Sequence, residues 1–151
     1  MSPEIALEWG FQLHGKRVYF DTNIFIYILD HHPELGELCL SMVQSAVDKE
    51  LDGFSGDLVL AELLVKPLKD NNARAVKAVK DLFTEMTRIE LLPHTKFAFE
   101  AAAHLRASYK IKFPDALHIA TAIENRVEIF LTNDRDIPSM SEITVLNLPS
   151  A

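Results

Sequence analysis

The stretch Arg17-Val18-Tyr19-Phe20-Asp21-Thr22-Asn23 decides how the rest of the chain is read. Its first four residues are β-prone and stop at an acid, so they predict a short buried strand. Asp21, Thr22 and Asn23 suit the entry of a helix, because short polar side chains accept backbone N–H groups left free at a helix start. Asn23 to Leu29 supplies that helix. A buried strand passing straight into a helix is the repeating unit of α/β folds.

The alternation recurs outward from this stretch. Leu35, Leu38, Met42, Val43, Ala46 and Val47 fall at helical spacing and predict a helix from Pro33 to about Lys49. Gly53-Phe54-Ser55-Gly56 reads as a brief strand or turn, and Asp57 to Lys66 as a helix that Pro67 ends. Asn71-Asn72 offers another start, with Val76, Val79, Phe83 and Met86 as the apolar stripe. Ile89 to Leu92 is a strand bounded by Pro93. Phe97, Ala101 and Leu105 mark a helix from about Thr95 to Tyr109, and Asp115 to Asn125 follows Pro114 as a further helix. Glu128 to Thr132 is a buried strand, and Thr144 to Leu146 a last short one. Strands taking turns with helices imply a three-layer α/β/α sandwich around a mostly parallel sheet. In such sheets ligands bind beyond the carboxyl ends of the strands.

The 151 residues fit a single domain, 1–151, in which residues 1–16 form an extension before the first strand. A 48% hydrophobic content supplies an ordinary core. Cys39 is the lone cysteine, so no internal disulfide forms, and no Cys/His spacing resembles a zinc site. A lone thiol fits a reducing cytoplasm. Met1 to Gly15 carries Glu4 and Glu8 and lacks the basic start and apolar run of a signal peptide. The longest apolar run, Ile24 to Leu29, is too short to cross a bilayer, so a soluble, cytoplasmic protein with no membrane partner is expected. The net charge of -7 lacks the basic signature of nucleic-acid binders but permits an acidic pocket with a local basic rim. RNA handled by such a chain requires cations, or a basic partner, against phosphate repulsion.

Four carboxylates occupy unusual places. Asp21 and Asp134 end predicted strands, Glu62 sits among Leu58, Val59, Leu63 and Leu64, and Asp115 opens an Ala-rich helix. Singly, each has an ordinary reading. Asp21 is also a helix cap, Asp115 an acid in a first turn, and Asp134 and Asp136 turn residues. Glu62 resists such a reading, because a carboxylate enclosed by apolar neighbours is costly without a partner. Four carboxylates gathered at one end of a sheet repel one another unless a cation lies between them, and Mg²⁺ or Mn²⁺ prefers oxygen donors. One or two such ions activate water for phosphodiester cleavage.

These residues fall into motifs that resemble those of the PIN domains, and among them the VapC-type toxins of toxin–antitoxin pairs. Val18-Tyr19-Phe20-Asp21-Thr22-Asn23 resembles the first motif and Ala61-Glu62-Leu63 the second. Pro114-Asp115-Ala116-Leu117-His118-Ile119-Ala120-Thr121-Ala122 is similar to the third, and Leu131-Thr132-Asn133-Asp134-Arg135-Asp136-Ile137 to the fourth. They occur in family order from Val18 to Ile137. The resemblance implies a magnesium-dependent endoribonuclease that hydrolyses RNA, with Mn²⁺ able to substitute, silenced by a cognate antitoxin and often homodimeric. It implies that Asp21 and Asp115 bind metal most directly, with Glu62 and Asp134 completing the catalytic and metal-binding set. Two departures stand out: residues 1–16 precede a strand that usually opens the chain, and Ile137 replaces an aromatic residue, which we expect to affect packing alone.

Thr22, Asn23, Thr132 and Asp136 are candidates for holding the carboxylates in place, although turn bonding and capping explain the same residue types. Arg135 is a candidate for contacting substrate or antitoxin. His118 shares a helix face with Asp115, yet magnesium prefers oxygen, and a packed, hydrogen-bonded histidine is the reading we adopt. Lys66, Lys69, Arg74, Lys77 and Lys80 are either a solvated face or a phosphate-steering one. Two other classes compete with the nuclease: a catalytically silent PIN-like binding or regulatory module, and a phosphotransfer receiver. A silent module gains little from clustered charge, and the paired acids and strand-end lysine of a receiver are missing.

Overall fold

Alternation along β1 (Arg17–Phe20) builds the sandwich. Val18 and Phe20 join one apolar cluster and Tyr19 a second one, because successive side chains leave a strand on opposite faces. β4 (Ile129–Thr132) repeats the division, with Ile129 and Leu131 in the first cluster and Phe130 in the second. The structure is a computed structural model and describes residues 9–149.

Three further strands, β2 (Asp52–Gly56), β3 (Glu90–Leu92) and β5 (Thr144–Asn147), complete a sheet of order β3-β2-β1-β4-β5. Every pairing is parallel, so the sheet is wholly rather than mostly parallel. The first cluster takes its helical side from α2 (Thr22–Leu29), α3 (Gly36–Val47), α4 (Leu58–Lys69) and α5 (Ala73–Asp81). The second takes it from α6 (Lys96–Ser108) and α7 (Phe113–Glu124). This is the expected α/β/α arrangement.

Of the stretch before β1, residues 1–8 lie outside the described residues. Residues 9–13 are helical and form the described part of α1. Leu13 is buried in the first cluster and Trp9 packs against it. This part of the extension therefore adds to the core.

α3 starts at Gly36 rather than Pro33 and α7 at Phe113 rather than Asp115, and two further boundaries depart from the sequence reading for a local reason. α4 continues through Pro67 to Lys69. A proline this close to a helix end removes one backbone bond, while Asp70 and Asn72 still donate to the Lys66 and Pro67 carbonyls at 3.0 and 2.9 Å. α5 stops at Asp81, and a π-helical turn, Leu82–Met86, follows. The wider turn rotates the apolar stripe, so Leu82 is buried and Met86 is 63% exposed.

The chain winds outward from β1 through β2 to β3, then crosses back to lay β4 on the other side of β1. Winding direction thus reverses between β1 and β4. A crevice opens at such a reversal, beyond the carboxyl ends of the two strands. Asp21 leaves β1 there, and Asn133 and Asp134 leave β4.

Candidate active site

Asp21 is fixed by the strand it ends and by the helix it starts. Its N–H donates to the Leu131 carbonyl at 3.0 Å, tying β1 to β4. Its Oδ1 accepts the Thr22 N–H at 2.8 Å, which makes it the N-cap of α2. The Thr132 hydroxyl donates to Oδ2 at 2.7 Å, and the Asn23 amide to the same oxygen at 3.3 Å. The Thr132 oxygen itself accepts the Asp134 N–H at 3.0 Å and the Asn23 amide at 3.2 Å. The Asn133 N–H closes the lattice on Asn23 Oδ1 at 3.1 Å. Asp136 enters through its backbone, its N–H donating to Asp134 Oδ1 at 2.9 Å.

Glu62 reaches this region from α4. Its Oε1 accepts the Thr22 hydroxyl at 2.9 Å and the His118 Nε2 proton at 2.6 Å. The enclosure expected from its leucine neighbours is absent. Only Val59 and Leu63 of α4 are buried, and the Glu62 side chain is 32% exposed. α4 presents one face to the core, and Glu62 lies at the edge of that face.

The electrostatics tie the four acids together. Burial pushes the Asp115 carboxyl up to about 6, with further upward pressure from the charges of Asp21 and Asp134. Burial also raises Asp21, which is 4% exposed, against the opposing charge of His118 and the hydrogen bonds from Thr132 and Thr22. Burial likewise opposes ionisation of Glu62, but the bonds and charge of His118, with the Thr22 hydroxyl, outweigh it and bring this carboxyl below its ordinary value. Asp21 and Asp115 are therefore held against ionisation by lost solvent first and by neighbouring acids second.

Behind Glu62 runs a chain of buried polar groups. His118 is 1% exposed and gives its Nε2 proton to Glu62, so Nδ1 accepts the Tyr19 hydroxyl at 2.6 Å in the neutral ring. It is the packed, hydrogen-bonded histidine expected, with an acid of the cluster as its partner. His94 performs a separate task. The Leu58 N–H donates to its Nε2 at 3.0 Å, so Nδ1 carries the proton and bonds the Thr121 hydroxyl at 2.7 Å. Asp57 makes no side-chain cap, and His94 serves the start of α4 in its place. Burial and the charge of His118 lower its basicity, which suits an accepting ring. Gly56 makes room for both rings, since a Cβ there would overlap the Tyr19 hydroxyl and the His94 imidazole.

Two clefts flank the acids. One, of about 480 Å³, includes Glu62, Leu63, Lys66, Asp70 and Arg74 in its lining. The other, of about 420 Å³, is lined by Arg106, Lys110, Ile111, Lys112, Asp115, Asp134, Asp136 and Ile137. Of the basic residues singled out in the sequence, Lys66 and Arg74 face the first cleft, Lys77 pairs with Asp81, and Lys69 and Lys80 lie outside either lining. Arg135 also lies outside both, with one amine donating to the Leu148 carbonyl at 2.8 Å. Ile137 is buried in the second apolar cluster. The basic lining of the second cleft escaped the sequence reading, although Arg106, Lys110 and Lys112 directly precede the third motif.

Among the described residues, no three His, Cys, Asp or Glu side chains are arranged to enclose a metal ion. Magnesium does not require such a cage, since it is commonly held by one or two carboxylates and keeps several waters. The donors here are carboxylate oxygens, the kind a hard cation prefers, and the upward-shifted Asp21 and Asp115 are the groups a cation relieves. The residues present fit Mg²⁺ or Mn²⁺.

The profile of the PIN domain matches residues 18–143. No curated protein sequence matches the chain. Among solved structures, VapBC2 from Rickettsia felis bound to a DNA fragment from their promoter superposes with a TM-score of 0.70 at 20% identity, covering 86% of this chain and 97% of that one. A toxin–antitoxin complex from Klebsiella pneumoniae gives 0.63 at 21% identity, covering 84% and 95%. VapC20 from Mycobacterium tuberculosis, a sarcin-ricin loop cleaving toxin, gives 0.58 at 13% identity, covering 75% and 86%. At these identities the likeness is one of fold.

Proposed function

The chain belongs to the PIN-domain family, and from that premise we propose that it is a magnesium-dependent endoribonuclease, the toxin of a type II toxin–antitoxin pair. We take it to be one domain, working in the cytoplasm as a homodimer and silenced by a cognate antitoxin. Among the described residues no helix is long and apolar enough to cross a membrane. The observation that supports the proposal is the pairing of Asp21 with Thr132 and of Glu62 with Thr22 at the β1–β4 reversal, with Asp115 close enough to feel the charges of Asp21, Asp134 and Glu62.

Asp21 and Asp115 would hold the divalent ion, with Glu62 and Asp134 completing the acidic set. When bound, the ion supplies an activated water and neutralises charge on the phosphate as the attacking and leaving oxygens exchange. The protein's own contribution is orientation. Thr132 and Thr22 each donate to a carboxylate and so fix the direction of its free lone pairs. Asn23 braces Asp21 against Thr132, and the Asp136 backbone holds Asp134. Oε1 of Glu62 is committed to Thr22 and His118, which leaves Oε2 to accept a proton from the attacking water. No side chain need serve as a nucleophile.

The proposal is tested by incubating single-stranded RNA with the protein and Mg²⁺, with and without EDTA, and with Asp21→Asn. Cleavage that requires the cation and is lost in the variant supports it. Calorimetry showing no heat with Mg²⁺ or Mn²⁺, together with intact RNA, would favour a silent binding module. The antitoxin is tested by co-purification with the product of the adjoining reading frame, as anticipated from the Klebsiella toxin–antitoxin complex.

A further inference from the structure

We propose that the cleft between the α6–α7 connection and the β4 exit loop binds the RNA backbone, gripping phosphates that flank the one cut. This inference rests on the nuclease reading and specifies where its substrate lies. Arg106, Lys110 and Lys112 line the cleft together with Asp115, Asp134 and Asp136. Among the described residues none of the three cations has a carboxylate within 4.0 Å, although three acids line the same space. Opposite charges that share a cleft without pairing are available to a third party.

The geometry favours a phosphate strand. Arg106 lies in the last turn of α6, and its Nε donates to the Ile111 carbonyl at 3.1 Å. That bond fixes the plane of the guanidinium, and its remaining amines find no protein acceptor among the described residues. A planar fork held this way suits two oxygens of one phosphate. Lys112 is the N-cap residue of α7 and Asp115 lies in that helix's first turn, so both move with one rigid element. Ile111 and Ile137 are buried and give the cleft an apolar floor on which a ribose or base edge can rest. The protein carries a net charge of -7, and its acids repel a polyanion. The cations that share the cleft with Asp115 supply the local attraction that brings phosphates to them.

The experiment uses full-length Asp21→Asn protein as a non-cleaving parent, fluorescein-labelled single-stranded RNA and Mg²⁺. Affinity is measured across a salt series, with circular dichroism to verify folding. Lys110→Ala with Lys112→Ala weakens RNA binding about tenfold, and the slope of log K against log salt falls in magnitude by about 1.4, near 0.7 for each lost phosphate contact. In the otherwise wild-type enzyme the same pair raises KM with little change in kcat, as for binding lost equally from ground and transition states. Lys80→Ala with Arg88→Ala removes the same charge from two exposed positions that line neither cleft and leaves the slope near that of the parent.

An unchanged slope and affinity in Lys110→Ala with Lys112→Ala, with loss instead in Lys66→Ala with Arg74→Ala, overturns the proposal and moves the RNA to the opposite cleft. With polyglutamate as a second labelled probe, binding that Lys110→Ala with Lys112→Ala abolishes while RNA binding stays intact also overturns it, in favour of an acidic protein partner. A wild-type protein that neither binds nor cuts RNA with Mg²⁺ would reject the nuclease reading itself, and the cleft assignment with it.

Discussion

Asp115→Asn removes a charge that the fold resists, and the expected effect on stability follows from the site. The Asp115 carboxyl rises from 3.8 to about 6 in the folded protein. Below pH 3.8 both states are protonated and the group contributes nothing. Between pH 3.8 and about 6 the unfolded chain releases its proton first, so stability falls as pH rises, and the full cost is present above about 6. At 1.36 kcal/mol per pH unit the shift has a ceiling of about 3 kcal/mol. The group is only half-buried, and solvent screening reduces this to about 1–2 kcal/mol. Urea unfolding followed by circular dichroism in EDTA, at intervals from pH 3.5 to 8, reads the difference directly. The variant should match wild type at pH 3.5 and exceed it by about 1–2 kcal/mol at pH 7.5. Magnesium should reverse the order by stabilising wild type through mass action while adding less to the variant. A difference independent of pH, or a variant less stable throughout, would refute the claim that burial, aided by neighbouring acids, holds the Asp115 carboxyl against ionisation. An equal gain from magnesium in both proteins would remove Asp115 from the ion's ligands.

Asp21→Asn keeps an oxygen for the Thr22 N–H and should lose Mg²⁺-dependent RNA cleavage with the circular dichroism spectrum of the folded protein retained, whereas Asp21→Ala also loses the helix cap and costs about 1–2 kcal/mol in urea unfolding. His118→Ala opens a cavity behind Glu62 and strands the Tyr19 hydroxyl, and unfolding should report a loss of about 2–4 kcal/mol. Tyr19→Phe removes a single bond and should cost about 1 kcal/mol, as the same measurement will show. Gly56→Ala forces Tyr19 and His94 aside together, and should destabilise by about 1–3 kcal/mol while lowering cleavage through displaced His118 and Glu62.

Much of the fold is legible in the sequence because its strands are short, uninterrupted and apolar. Tyr19 and Phe130 face one side and their neighbours the other, so helices on both faces are required. The placing of Asp21 and Asp134 follows from chain position, since both end strands at the reversal of winding. Glu62 was singled out by its leucine neighbours, but it meets the cluster from an exposed edge of α4, where Thr22 and His118 hold it. The Tyr19–His118–Glu62 chain joins residues 99 and 56 positions apart, and no local pattern announces such a meeting. The basic cleft was obscure for a different reason. Arg106 ends a helix, Lys110 lies in a connection and Lys112 precedes the next helix, so they share no periodic face until the backbone turns.

Asp21 serves two masters, the helix that begins at Thr22 and the pocket beside Thr132. A lineage that abandoned catalysis and discarded Glu62 would take an acceptor from His118 and Thr22 at a partly exposed edge of α4, whereas discarding Asp21 would fray α2 and leave the wholly buried Thr132 hydroxyl without its acceptor. Decay should therefore proceed unevenly. An aspartate at this position in a descendant testifies to architecture first, and the glutamate on α4 is the better witness to whether the chemistry persists.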